Sequence, residues 1–145
     1  MRKLLSLGLL IISLGTGLSA QDNAKPFVVP ELTSWHGATG MFVPSGRIIV
    51  QGNNKELQSI AKQFAADYYE LHGRSVQLTT GKAQRGDFVL SLNKDKKLGA
   101  EGYQLVIGDI TELRAYSPKG LYWGTRTILQ IGEQHPELAL PRGQC

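Results

Sequence analysis

Residues 101–131 read EGYQLVIGDITELRAYSPKGLYWGTRTILQI, and this stretch contains two predicted strands and a helix. Apolar residues take alternate positions in residues 103–107, as in a strand with one buried face. A Gly-Asp turn at residues 108–109 and a second run at residues 110–116 then follow. Two adjacent strands joined by a tight polar turn predict a β-hairpin.

The helix that follows the hairpin carries clear start and packing signals. Ser117 is a good N-cap and Pro118 suits the first helical position, so a helix is predicted to run to about Glu133. Gly120 and Gly124 lie four residues apart and therefore on one helix face. Each glycine costs about 1 kcal/mol relative to alanine. Close packing of the helix backbone on the sheet is expected to compensate for that cost.

The same helix has more apolar surface than contact with one sheet requires. On a helical wheel the apolar arc covers about half the circumference. That arc contains Leu121, Tyr122, Gly124, Ile128, Leu129 and Ile131. Trp123 stands near the opposite side, among polar residues. It is either a contact for a partner or a side chain folded against a neighbouring loop, and the sequence leaves both open.

Upstream residues predict one more helix and several short strands. In residues 57–72 the apolar positions follow a helical period, with Asn53 or Asn54 as N-cap and Gly73 at the C-terminal end.

Strands are predicted at residues 47–50, 76–80 and 88–92, and a strand, turn and strand at residues 35–43. The order β-β-α-β-β-β-β-α indicates an α+β fold. We expect a mostly antiparallel sheet with two helices packed on one face.

The N-terminus has the layout of a secretory signal peptide. Arg2 and Lys3 precede an apolar run at residues 4–14, and small residues lead to a predicted cleavage site after Ala20. The apolar run is too short to span a bilayer. We therefore expect residues 1–20 to be removed and the protein to be exported to the periplasm or beyond, with no membrane span.

The expected domain occupies residues 21–140, and residues 141–145 read as the start of a linker. Removal of the signal peptide lowers the formal net charge from +4 to +2. The basic residues are scattered along the chain, which argues against a nucleic-acid partner.

Spacing argues against a metal site or a cofactor. The three histidines are His36, His72 and His135; no two are four residues apart and no HExxH motif is present. Cys145 is the only cysteine, so no intrachain disulfide can form. No catalytic, cofactor-binding or metal-binding residue is predicted.

Glycoside hydrolysis needs two carboxyl groups held close together, or one acid with a substrate amide as nucleophile. The candidate carboxylates are Asp67, Glu70, Asp87, Asp95, Glu101, Asp109 and Glu112. None belongs to an adjacent acidic pair in an apolar, aromatic setting, and no GxSxG motif occurs. The sequence therefore predicts a chain without glycosidase activity of its own.

Several motifs together resemble a known module. They are Pro30 with Trp35, Gly86-Asp87 before a strand, the EGYxLxI pattern at residues 101–107, and the run from Ala115 to Gln130. The chain is similar to the N-terminal domain of secreted β-N-acetylhexosaminidases of glycoside hydrolase family 20, particularly those of Bacteroides-like bacteria. The resemblance covers nearly all of residues 21–145, and its last motif is the most specific.

The resemblance implies a zincin-like α+β domain that precedes a catalytic (β/α)8 barrel, with its helices between the sheet and that barrel. In such enzymes an Asp-Glu pair in the barrel acts on the glycan, and none of those residues can be assigned here. The chain is thus expected to be a piece that ends before the barrel. The expected interdomain contact comprises Tyr122, Trp123, Arg126 and Leu129.

Two other functions remain open at this point. One is a stand-alone carbohydrate-binding module with a sugar-stacking platform, although its aromatic residues do not line up on one strand face as such a platform needs. The candidates for that platform are Trp35, Tyr68, Tyr69 and Trp123. Alternatively, it precedes the barrel of a family 84 enzyme or of an α-glucuronidase, since similar modules occur there.

Overall fold

A computed structural model describes residues 20–145; the predicted signal peptide lies outside them except for Ala20. The strands are β1 (His36–Phe42), β2 (Arg47–Gln51), β3 (Gln77–Thr79), β4 (Phe88–Leu92), β5 (Tyr103–Ile107), β6 (Thr111–Ala115) and β7 (Leu140–Gln144). The helices are α1 (Lys55–His72) and α2 (Pro118–Gly132), with short 3₁₀ helices at Lys96–Leu98 and Pro136–Leu138.

The seven strands form one mixed sheet in the order β1-β7-β5-β6-β4-β2-β3. The pairs β1–β7, β7–β5 and β5–β6 are antiparallel, whereas β4–β6, β2–β4 and β2–β3 are parallel. The α+β class is confirmed, but the expectation of a mostly antiparallel sheet is wrong. Helix α1 connects β2 to β3, and this crossover lets the two strands run parallel. Strand β4 pairs with β6 instead of its sequence neighbour β5.

The predicted hairpin is present and carries the centre of the core. Tyr103 pairs with Ala115 and Ile107 with Thr111, so β5 and β6 are in full register. Leu105 and Leu113 face each other and are completely buried. Alternation of buried and accessible residues in both strands follows the period of two that the sequence shows.

Two segments differ from the prediction at the β1 edge of the sheet. Residues 35–43 were expected to turn, but His36–Phe42 is one strand with an irregular register between Gly37 and Met41. Residues 141–145, expected to begin a linker, largely belong to β7 between β1 and β5. Pro141 is tolerated because it pairs only with β1, at Met41, where β7 extends past β5.

Both helices have the predicted ends. The Asn54 side chain accepts hydrogen bonds from the amides of Glu56 and Leu57, at 2.8 and 3.0 Å. Gly73 closes α1 in the left-handed conformation that favours glycine, with φ of 66°. Ser117 caps α2 by accepting from the Gly120 amide at 3.1 Å, and the helix runs to Gly132.

The helices contact each other and pack on the same side of the sheet, over one continuous core. A Cβ placed on Gly124 would overlap the Leu113 side chain of β6, and one on Gly120 would overlap the carbonyl oxygen of Gly102. The predicted close approach of α2 through these two glycines is therefore confirmed. In the described residues, neither helix combines the length and apolarity needed to cross a membrane.

Candidate interdomain surface

Tyr122 and Trp123 lie on the outer side of α2, where they form an exposed aromatic pair. Tyr122 is 37% exposed and Trp123 is 41% exposed. Their ring centroids are 5.4 Å apart with an interplanar angle of 67°, the edge-to-face geometry that aromatic pairs prefer. Since α2 is helical here, both side chains are held by a rigid element. Trp123 is thus partly accessible, and its contact with a partner stays a prediction.

Arg126 joins this pair to the other helix. Its guanidinium carbon lies 4.8 Å from the centroid of the Tyr122 ring, within the range of a cation–π contact. Its Nη1 lies 2.6 Å from Oδ2 of Asp67 on α1. The Asp67 carboxylate neutralises the Arg126 charge, so the surface requires no acidic partner. Tyr122, Trp123 and Arg126 thus form one ordered surface across the helix layer.

Leu129 does not belong to that surface. It is 3% exposed and packs in the domain's own core, so it is unavailable for an interdomain contact. The prediction for Leu129 is wrong because the apolar arc of α2 is covered by more than the sheet. Val28 and Leu32 of the N-terminal segment join the same buried cluster, as does α1.

The N-terminal segment that covers α2 is held by two glutamine side chains. The amide N–H of Val29 donates to Oε1 of Gln130 at 2.9 Å, and Nε2 of Gln130 donates to the Val29 carbonyl at 3.0 Å. Nε2 of Gln134 donates to the Phe27 carbonyl at 2.7 Å. Val28 points into the core, while Phe27 and Val29 are largely exposed. Sequence reasoning missed this contact, although residues 27–29 show the apolar run that could have indicated it.

A groove lies between Trp123 and the N-terminal segment. Its volume is about 270 Å³. The lining residues are Val29, Pro30, Tyr103, Trp123, Arg126, Thr127 and Gln130. Among the lining residues, the Tyr103 hydroxyl and the Thr127 hydroxyl share a hydrogen bond of 2.6 Å, and burial raises the pKa of Tyr103. We call this cavity the Trp123 groove.

All of the candidate carboxylates except Glu70, which is exposed on α1, have structural partners. Asp67 pairs with Arg126, Glu101 with Lys119, Glu112 with Arg114, and Asp109 with Arg142, and Asp95 caps a 3₁₀ helix. Glu31 and Glu101 do line one shallow depression. However, Lys25 hydrogen-bonds Glu31 and lowers the pKa of that carboxyl, whereas a general acid needs a raised pKa.

The histidines and the aromatic residues also remain separate. Within residues 20–145 no three His, Cys, Asp or Glu side chains form a cluster that could hold a metal ion. The absence of bound zinc stays a prediction. Trp35 donates its indole N–H to the Asn23 carbonyl at 3.1 Å, and Tyr68 is buried in the core. Tyr69 lies exposed on α1 and Trp123 on α2, so the four do not make one sugar-stacking platform.

Comparison with known proteins agrees with this architecture. The sequence model of glycosyl hydrolase family 20, domain 2 matches residues 25–144. No curated protein matches the chain.

Three solved bacterial structures share the fold. The N-acetyl-β-hexosaminidase of Streptomyces plicatus is similar with a TM-score of 0.70 at 19% identity, over 86% of this chain and 26% of that chain. The family 20 β-N-acetylhexosaminidase of Streptomyces coelicolor A3(2) gives 0.66 at 19% identity, over 83% and 27%. The β-N-acetylhexosaminidase of Bacteroides fragilis NCTC 9343 gives 0.59 at 16% identity, over 79% and 23%.

The chain spans about a quarter of the length of these structures. At such low identity they establish the fold alone, whereas the family match extends over nearly all of the described residues. The chain therefore belongs to glycosyl hydrolase family 20, domain 2.

Proposed function

We propose that this chain is the non-catalytic N-terminal domain of an exported β-N-acetylhexosaminidase, whose separate barrel removes terminal N-acetylhexosamine from glycans. The observation that carries the proposal is the family match over residues 25–144, in a chain that spans only about a quarter of similar enzymes. In this role the domain supports the barrel and supplies no reacting group. The signal-peptide layout of residues 1–20 supports the exported location.

The contact with the barrel is assigned to Tyr122, Trp123 and Arg126. Support comes from the exposed aromatic pair on a rigid helix and from the Asp67 carboxylate that fixes Arg126. Tryptophan, tyrosine and arginine are the residues that most often dominate binding energy at protein interfaces. Exposed aromatic rings gain nothing in water, so a covering partner explains their presence better than solvent does.

The purified chain should hydrolyse neither the nitrophenyl N-acetylglucosaminide nor the corresponding N-acetylgalactosaminide. The reason is that all but one of its candidate carboxylates serve ion pairs, hydrogen bonds or caps, and the remaining one, Glu70, is exposed on α1. The Streptomyces plicatus enzyme is a suitable positive control. Turnover that copurifies with the chain and is lost in Asp67→Asn or Glu70→Gln would contradict the proposal. Reading the gene beyond the Cys145 codon tests independently whether a barrel with an Asp-Glu pair follows.

Trp123→Gln should increase the solubility of the isolated domain and leave its far-UV circular dichroism unchanged. Trp123 is already half exposed, so we expect its melting temperature to change by no more than about 3 °C. Tyr69→Gln, on the exposed side of α1, is the matched control and should improve solubility less. If Trp123 packed as a core residue, the change would cost about 3 kcal/mol or more. A steep fall in melting temperature without a gain in solubility would therefore exclude a docking role.

A further inference from the structure

The C-terminal end of α1 contains two buried polar atoms that are close together. Among the described residues, neither the Tyr68 hydroxyl nor Nε2 of His72 has a hydrogen-bond partner. The two residues are four apart in the helix, and their ring centroids lie 4.8 Å apart in edge-to-face geometry. We propose that protonation of His72 releases this end of α1 from the core, so that the end of the helix is an acid-sensitive latch. We call Tyr68 and His72 together the His72 latch.

Tyr68 connects the latch to the hydrophobic core. It is 3% exposed, and its ring lies edge-to-face against Phe64 and Phe88, with centroids 5.8 and 5.9 Å away. Burial raises the pKa of Tyr68 to about 12, so its hydroxyl stays neutral. The His72 ring extends this aromatic cluster toward the end of the helix. Because its Nε2 makes no hydrogen bond, ring packing on Tyr68 is the contact that keeps His72 in place.

The groups around His72 act on its protonation in opposite directions. Burial lowers the pKa of His72 from its ordinary value of 6.5, and the Glu133 carboxylate at the end of α2 raises it by a smaller amount. The C-terminal end of a helix also favours a cation. Arg74, in the loop after α1, places a positive charge near Tyr68 and donates to the Glu137 carbonyl at 3.4 Å. Burial is the largest effect, so the folded domain favours the neutral imidazole.

The direction of the pH effect follows from this lowered pKa. In the unfolded chain His72 takes up a proton near pH 6.5, whereas in the folded domain it does so only at lower pH. The folded state is therefore fully favoured above that value, and its stability falls as the pH drops from 6.5 toward the folded pKa. When the end of α1 opens, water reaches both Nε2 of His72 and the Tyr68 hydroxyl. Two unpaired polar groups then gain partners at once, which favours local opening.

Urea unfolding of the purified chain at about pH 7.5 and about pH 5.5 tests the proposal, because histidine is the side chain whose ordinary pKa lies in this range. The wild-type midpoint should be lower at the lower pH. His72→Phe keeps a ring against Tyr68 but cannot be protonated, so its midpoint should fall by less than about half as much. His36→Gln and His135→Gln each remove a histidine outside the latch, and each should keep most of the wild-type change.

Amide hydrogen exchange shows where the domain opens. The Gly73 amide donates to the Tyr69 carbonyl at 2.8 Å at the end of α1, and the Gln58 amide donates to the Asn54 carbonyl at 3.1 Å at its start. After correction for intrinsic exchange rates, protection of the Gly73 amide should fall at the lower pH, whereas protection of the Gln58 amide should change less. His72→Phe should not show this loss at Gly73.

Three outcomes would overturn the proposal. An NMR titration of the His72 imidazole with a midpoint at or above 6.5 would show that burial does not oppose its charge. An equal fall in the urea midpoint of the wild type and of His72→Phe would place the acid sensitivity elsewhere. Equal loss of protection at Gly73 and Gln58 would show global unfolding in place of a latch. The titration and the exchange measurement use the wild-type chain, so they decide the question even if His72→Phe fails to fold.

Discussion

Gly120→Ala should lower the free energy of unfolding by about 1–3 kcal/mol, even though alanine is the better helix former by about 1 kcal/mol. The added methyl group would overlap the carbonyl oxygen of Gly102, which is backbone and cannot rotate away. Gly102 cannot retreat easily, because the Leu98 carbonyl occupies the place where a Cβ of residue 102 would stand. Helix α2 would have to move off the sheet. Thermal unfolding followed by circular dichroism should show a melting temperature lower by about 5–10 °C.

Gly132→Ala is the matched control within the same helix. A methyl group there would meet Leu138 and Leu140 at 3.6–3.8 Å, which is ordinary van der Waals contact. It should therefore leave stability unchanged or raise it by about 0.4–1 kcal/mol, as alanine commonly does at a compatible position. If Gly120→Ala proved as stable as Gly132→Ala, the close approach of α2 to the sheet would not explain the glycine. The close approach of Gly102 and Gly120 also links the EGY motif to helix α2.

Local features of the fold could be predicted from the sequence because they depend on residues a few positions apart. Asn54 caps α1 through amides two and three residues away, and Ser117 caps α2 through an amide three residues away. The β5–β6 hairpin has a three-residue turn between strands in register. In each case the partners are close in sequence, so composition and spacing suffice to identify them.

Long-range pairings could not be predicted in the same way. Strand β4 bypasses β5 to pair with β6, and β7 inserts between β1 and β5. Residues 140–144 read LPRGQ, which has the proline and glycine of a linker. They form a strand because the edges of β1 and β5 supply partners from far away in sequence.

The candidate surface shows the same division between local and distant information. The helical period predicts that Trp123 lies opposite the apolar arc, and Trp123 is 41% exposed there. The same period predicts that Leu129 belongs to apolar surface left over for a partner, whereas Leu129 is buried in the core. Gln130 binds Val29, about a hundred residues earlier, and the segment carrying Val29 covers α2. A helical wheel contains no information about a cover that comes from the other end of the chain.

The Gly86-Asp87 motif ties the ends of three strands together, which explains why both residue types are needed. Gly86 has a φ of 88°, and a Cβ there would come within 2.9–3.0 Å of Ser45 and of the Val43 carbonyl. Asp87 is 1% exposed. Its carboxylate accepts from the Ser45 hydroxyl and from the Gln84 amide, each at 2.8 Å, and lies 3.3 Å from Nη2 of Arg47.

Asp87→Ala should destabilise the domain by about 2–4 kcal/mol, the largest loss we expect from a single polar residue. Truncation would leave the Ser45 hydroxyl, the Gln84 amide and the Arg47 guanidinium without their acceptor. Hydrogen bonds to a buried charged group are stronger than neutral ones, and an orphaned donor loses its full solvation. Urea unfolding should show a lower midpoint with an unchanged slope.

Asp109→Ala is the control variant, because it also removes an aspartate that pairs with an arginine. Asp109 also pairs with an arginine, Arg142, at 2.6 Å, but it is 66% exposed. Exposed pairs contribute about 0.2–1 kcal/mol and are screened by salt. Its loss should therefore be small and should shrink further in 1 M salt, where the Debye length is about 3 Å. The Asp87→Ala loss should persist at that salt concentration, because a carboxylate that is 1% exposed is shielded from the ions. Equal losses for the two variants, or an Asp87→Ala loss that vanishes in salt, would show that the buried network at the Gly-Asp motif does not hold these strand ends together.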